Sequence, residues 1–188
     1  MILLIFGLVL WFTTHLFPIY MAPKRDTLAA GMGEIPYKAA YAGVTAVIVV
    51  ILVIGYQSAP FIEIWSPPTF LSHINHLLML LALAFFIAGS VPSPVRRKIR
   101  HPQLAAVKVW ALGHLLVNGD LASVLLFGGM LAWAVVALIG SNRRDGPRTG
   151  LPEVSKVGWP IHVIATSAVF LLVVWIHGSV AGVPPFLG

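Results

Sequence analysis

The chain contains no cysteine, so disulfides, thiolate metal sites and iron–sulfur clusters are excluded at once. Charge is almost as scarce: 10% of the residues are charged, where a soluble domain carries about 25%. Acid is scarcest of all, with 6 Asp+Glu against 12 Lys+Arg and a formal net charge of +6. What fills the space is apolar, at 59% of 188 residues and a mean hydropathy of +0.93. An ordinary soluble globule and a disordered tail are both excluded. In a soluble protein the basic excess would point to nucleic acid. In a membrane protein it reports orientation instead.

A transmembrane helix needs about 20 largely apolar residues. Six runs approach that length: Met1 to Phe17, Ala39 to Tyr56, Phe70 to Val91, Leu104 to Val117, Leu121 to Ile139 and Trp159 to Val183. The fourth is short and is divided from the fifth only by Asn118-Gly119-Asp120, a turn signature. Gly31-Met32-Gly33 is read as a turn, and Pro67-Pro68, Pro92/Pro94 and Pro184-Pro185 punctuate helix ends. Nothing before the first run resembles a basic leader or cleavage site, so a removable signal peptide is not expected.

The basic residues sort by loop. Lys24, Arg25 and Lys38 fall between segments one and two. Arg96, Arg97, Lys98 and Arg100 follow segment three, and Arg143, Arg144, Arg148 and Lys156 follow segment five. The remaining one, Lys108, is close enough to the same side to snorkel. The other connections carry only Glu63 and Asp120. The positive-inside rule then predicts an all-α, polytopic bundle of about six transmembrane helices, residues 1–188 forming one domain, with both termini on the outer side. Trp11, Trp65, Trp159 and Trp175 are expected as interfacial anchors. A transporter is disfavoured, because no inverted repeat and no intramembrane carboxylate is found.

Seven histidines carry the remaining chemistry, since ionisable side chains within a bilayer are functional candidates. His101 and His162 fall at the inner edge and His73 and His177 at the outer edge, where an imidazole in water is the expectation. His15, His76 and His114 lie deeper and must each bond or coordinate something. One arrangement that would use them is a haem b between two imidazoles, with bases near a membrane edge for the propionates. His15 lies about 20 Å from the outer end of its segment and His114 about 15 Å from the inner end of its own, which puts them within about 5 Å of one depth. Arg100, Lys108, Lys24 and Arg25 are the available propionate partners, and His76 could replace either ligand. The pair His73-x-x-His76 with Glu63 or Asp120 offers an outer metal site of low specificity. Gly178 and Gly182 give a small-residue spacing suited to helix packing. Arg96-Arg97-Lys98 could meet anionic headgroups, although such a run more often only sets topology.

Several strings resemble a known family. Gly33-Glu34-x-x-Tyr37-Lys38, Arg100-His101-Pro102, Val109-Trp110-Ala111, His114-Leu115, Asn118-Gly119-Asp120-x-x-Ser123 and Leu126-Phe127-Gly128, together with the early His15, are similar to the NnrU-like membrane proteins. That family includes the 15-cis-zeta-carotene isomerase of plants. The resemblance is densest between Arg100 and Gly128 and covers about residues 1 to 140. It implies two functions. The bacterial branch is associated with nitrite and nitric oxide reduction in denitrifiers. The plant branch is a haem b enzyme that turns a cis central double bond of a carotene to trans, with ligands that fall on His15 and His114. Leu16-Phe17-Pro18 after the first histidine, and the Asn118-Gly119-Asp120 turn after the second, are closer to the bacterial branch.

The expectation is therefore a haem-b protein of the bacterial inner (cytoplasmic) membrane, with His15 and His114 on the iron. Its partners would be the lipid bilayer and a membrane reductase or electron-transfer partner, with no nucleic acid. The alternatives are a haem-dependent isomerase with an apolar polyene substrate, and a cofactor-free scaffold whose histidines bond between helices.

Overall fold

A computed structural model describes residues 1–153 and 157–182. Lys156, Val183 and the Pro184-Pro185 pair lie outside the described residues. Eight helices follow in order: α1 (Ile2–Tyr20), α2 (Ala22–Met32), α3 (Glu34–Gln57), α4 (Leu71–Ala88), α5 (Val95–Lys98), α6 (Pro102–Val117), α7 (Leu121–Asp145) and α8 (Gly158–Ala181). Among the described residues there is no strand, and five helices (α1, α3, α4, α7 and α8) are long and apolar enough to cross a membrane. α6 is apolar but shorter; its 16 residues rise about 24 Å, less than a bilayer core of about 30 Å. The six expected segments are these six helices. The protein is an integral membrane helix bundle.

The connections hold more helix than expected. α2 occupies most of the first basic loop and continues through Gly31 and Met32, so the break falls at Gly33 alone, at φ 87°. α1 passes through Pro18 rather than ending before it. A proline cannot donate to the carbonyl four residues back, here that of Thr14, and the Tyr41 hydroxyl of α3 donates to that oxygen at 3.5 Å.

Packing divides into two groups that share a seam. α1 lies against α3 and α7, α4 lies against α6 and α8, and α6 meets α7. The core is built from Leu4, Leu8, Ile48, Leu52, Met130, Trp133 and small residues such as Ala134 and Ala137. Lipid tails give no hydrophobic drive between helices, so close backbone approach has to supply contact. α1 and α3 cross at Gly55, where a Cβ would stand 2.6 Å from the Leu4 backbone nitrogen. Outward-facing residues stay apolar: Trp175 is 81% exposed and Leu171 67%, as a lipid-facing surface of α8 requires.

The two ends are closed differently. At the end expected to lie outside, called the outer end, the α3–α4 connection pairs with the α6–α7 turn through an isolated antiparallel bridge, Glu63 with Asp120. Ile64 N–H donates to the Gly119 carbonyl at 2.7 Å, and Leu121 N–H to the Ile62 carbonyl at 2.8 Å. A Cβ on Gly119 would overlap the Trp65 carbonyl oxygen, at 1.7 Å. Asp120 caps α7, accepting from Ser123 N–H at 3.0 Å and from its hydroxyl at 2.5 Å. The Tyr56 hydroxyl of α3 donates in turn to Ser123 Oγ at 2.9 Å. At the basic end, Arg148 donates to the Arg96 and Arg97 carbonyls at 2.5 and 3.2 Å. Arg100 donates to the Gly146 and Asp145 carbonyls at 2.6 and 3.1 Å, closing the C-terminus of α7.

Gly119→Ala should lower stability by about 1–3 kcal/mol, the usual cost of overpacking, visible as a lower melting temperature in detergent. An unchanged melt would show that the outer turn is not held as described. Because the native chain has no cysteine, orientation can be read from single introduced ones. Ser66→Cys should react with an impermeant maleimide added to intact cells, and Thr149→Cys only after lysis. The reverse pattern would invert the topology.

Candidate functional site

His15 and His114 are held in the same way. Each follows a tryptophan by four residues, in Trp11-Phe12-Thr13-Thr14-His15 and Trp110-Ala111-Leu112-Gly113-His114. In both, Nδ1 lies 3.0 Å from the carbonyl oxygen of that tryptophan. A carbonyl only accepts, so Nδ1 carries the proton and Nε2 is left as a bare lone pair. This is the tautomer an imidazole needs in order to ligate metal, with its other nitrogen tied to a carbonyl.

Each ring also has an aromatic wall. His15 stacks on Trp11 with centroids 3.8 Å apart, and Trp133 and Tyr41 stand edge-on, each at 5.7 Å. His114 stacks on Phe127 at 4.4 Å, with Trp110 tilted at 5.1 Å. Trp11 is therefore part of this wall and not an interfacial anchor. Trp65, Trp159 and Trp175 are exposed, as anchors would be.

The two imidazoles are not brought together. Among the described residues they make no ring contact with each other, and α7 packs against both of their helices. Trp133, beside His15, and Phe127, beside His114, are six residues apart on α7. That separation is about 9 Å of rise and roughly 120° around the helix, larger than the depth difference expected from segment lengths. The excess arises because α6 is short and its C-terminus is tied to the outer turn, which lifts His114 outward.

Among the described residues, orphan polar atoms lie beside His15 and against Gly113, the residue before His114. The buried indole nitrogens of Trp11 and Trp133, both against His15, have no hydrogen-bond partner among the described residues. Asn75 Oδ1 of α4, also buried and unpartnered, is 2.7 Å from where a Cβ on Gly113 would stand, one residue before His114. Close to His15, Thr13, Thr14, Phe17, Tyr37, Tyr41 and Val44 line an apolar cleft of about 320 Å³ between α1 and α3.

The other expected residues fall as follows. Arg100 is committed to the C-terminus of α7 and lies 4.0 Å from the Asp145 carboxylate. Arg25 pairs with Asp26 at 2.7 Å and lies over the Tyr37 ring, and Lys24 is exposed on α2. Lys108 is half-buried on α6, and His76 half-buried on α4. The outer metal site is not assembled. His73 is exposed, Glu63 accepts from Ser66 and Asp120 caps α7. Among the described residues no three His, Asp or Glu side chains are grouped to hold a metal ion.

Two edge histidines are corrected. His162 is not in water but 3% exposed. Its Nε2 donates to the Ala84 carbonyl at 2.9 Å and its Nδ1 accepts from the Ser93 hydroxyl at 2.5 Å. Ser93, itself buried, also accepts from Val95 N–H at 3.2 Å. α8, the end of α4 and α5 are thereby joined at one imidazole. No spacing rule joins positions 93 and 162, and only the serine among prolines in Pro92-Ser93-Pro94 hinted at a fixed polar contact. His101 is half-buried too, donating to Asn142 Oδ1 at 3.1 Å.

Fold and site thus define a polytopic membrane protein with preset imidazoles in an aromatic setting. A family model described as NnrU protein matches residues 3–185, and the chain belongs to that family. No curated protein and no solved structure matches it.

Ser93→Ala should destabilise the protein by about 1–3 kcal/mol, the cost of leaving a buried acceptor unpaired, measured as a lower melting temperature. A melt equal to wild type would place water, not Ser93, against His162.

Proposed function

We propose that this NnrU family protein binds haem b through His114 and a second imidazole, and serves nitrite and nitric oxide metabolism in a bacterial inner membrane. One observation carries the reading. His114 lies half-buried in an apolar bundle with Nδ1 bonded to a backbone carbonyl, which leaves Nε2 as the nitrogen able to ligate. His15 is prepared in the same way. The orphaned indole nitrogens of Trp11 and Trp133 beside His15, and Asn75 Oδ1 against Gly113, fit a region built for a further group.

A haem b held by imidazoles supplies a one-electron couple tuned by its ligands and surroundings. The chain's own part is to fix each tautomer, to wall the rings with Trp110, Phe127, Trp11 and Trp133, and to exclude water. The propionate role does not suit Arg100, which is already bonded at the basic end. Lys108, six residues before His114, is about 9 Å from it along the helix and is the nearer base. Family membership supports the link to nitrogen-oxide metabolism, where a membrane reductase or electron-transfer partner would exchange the electron.

Protein purified from haem-replete cells should show Soret and α bands in a reduced-minus-oxidised spectrum, and His114→Ala should abolish them. A colourless wild-type preparation would overturn the haem reading and leave the histidines as bonds between helices. Full haem in His114→Ala would overturn His114 as its anchor.

A further inference from the structure

The basic end carries two adjoining hollows that the histidine chemistry does not use. The first is the apolar cleft of about 320 Å³ between α1 and α3. Thr13 and Phe17 wall it on α1, Tyr37, Tyr41 and Val44 on α3, and Met32 at the end of α2 completes it. α1 and α3 pack directly, and α2 lies against both. Tyr37 is three residues into α3 and Val44 ten, so the cleft runs from about 5 to about 15 Å along the helix. Half of a bilayer core of about 30 Å is the depth of one leaflet. The α3 face beyond it is apolar and open, with Val44 50% and Val47 60% exposed. A cleft of that depth and lining suits a single hydrocarbon chain.

The second hollow, of about 400 Å³, carries charges of both signs on Arg25, Asp26 and Glu34. The two hollows meet. Met32 lines the cleft and Gly33, next in the chain, lines the charged hollow. The Arg25 guanidinium of the charged hollow lies 5.8 Å from the centroid of the Tyr37 ring, which lines the cleft. Arg25 pairs with Asp26 at 2.7 Å and Glu34 with Lys38 at 3.1 Å, in both cases between exposed side chains. Exposed pairs of this kind are weak and can be exchanged for the charges of a ligand.

We propose that the two hollows together bind one zwitterionic phospholipid of the phosphoethanolamine class, with an acyl chain in the cleft and the head in the charged hollow. The phosphate faces Arg25, with Lys24 beside it in the chain. The primary ammonium, with three N–H donors, faces the Asp26 and Glu34 carboxylates. A purely anionic head would meet those two carboxylates with no ammonium to satisfy them, and a choline head has no N–H to donate. Occupancy also bears on His15. Tyr41 lines the cleft and stands edge-on to His15 at 5.7 Å, so a chain in the cleft covers that side of the ring and keeps water from it.

The test is native mass spectrometry of the full-length protein in detergent, with dioleoyl phosphatidylethanolamine, phosphatidylcholine or phosphatidylglycerol added at equal concentration. One phosphatidylethanolamine should stay bound, with about fivefold preference over each of the others. Asp26→Asn combined with Glu34→Gln should abolish the preference over phosphatidylcholine and turn the site toward phosphatidylglycerol. Ala40→Phe, which fills the cleft, should lower retention of all three lipids. Equal retention of the three by the wild type overturns the proposal, as does a preference for phosphatidylglycerol, which would mark only a basic surface. An unchanged phosphatidylethanolamine preference in the double variant, or unchanged retention in Ala40→Phe, overturns it as well. If the double variant does not fold, Asp26→Asn alone is read against the same outcomes.

Discussion

In hydrocarbon there is no water to satisfy a polar group, so each buried donor or acceptor needs a partner within the protein. That constraint shapes nearly every polar side chain in this bundle. Pro18 frees the Thr14 carbonyl and Tyr41 donates to it. His162 has a partner at each ring nitrogen. Tyr56, Ser123 and Asp120 form a chain in which each hydroxyl donates to the next oxygen, ending on the carboxylate that caps α7. The exceptions gain weight from this background. Among the described residues five buried side-chain atoms lack a partner; those on Trp11 and Trp133 lie beside His15, and that on Asn75 lies against Gly113.

The same constraint explains why the ends are built differently. At the outer end the two connections pair backbone with backbone, so Gly119 has to admit the Trp65 carbonyl and little charge is needed. At the basic end, guanidinium groups of Arg100 and Arg148 satisfy the carbonyls of the facing loop. Arg100 and Arg148, two of the bases expected to set orientation, therefore also tie the loops at that end together. Arg100 serves α7 in this way and is not left over for a cofactor.

The six apolar helices were legible because a run of apolar residues near the length of a bilayer crossing has few other uses; five are long enough to cross and α6 is shorter. α2 was not legible. Its sequence is polar and carries no apolar stripe, and it is helical because Pro23 favours a first turn and Gly33 provides a stop. The burial of His162 was hidden for another reason, since its partners lie 69 and 78 residues away in sequence. The recurrence of tryptophan four residues before His15 and His114 was visible in the string. Its meaning lies in the backbone carbonyl at that position, which helical geometry aims at Nδ1.

What hydropathy could not convey is which helices are neighbours. Depth counted along isolated segments puts His15 and His114 near one level, but segment ends are not level in a bundle. α6 is too short to cross, and its outer end is fixed by the Gly119 and Asp120 contacts, so His114 is raised while His15 stays two-thirds of the way down α1. α7 then lies against both helices and offers each imidazole a different aromatic face. A site that needs two imidazoles on one axis has to be sought among helices that meet at one depth.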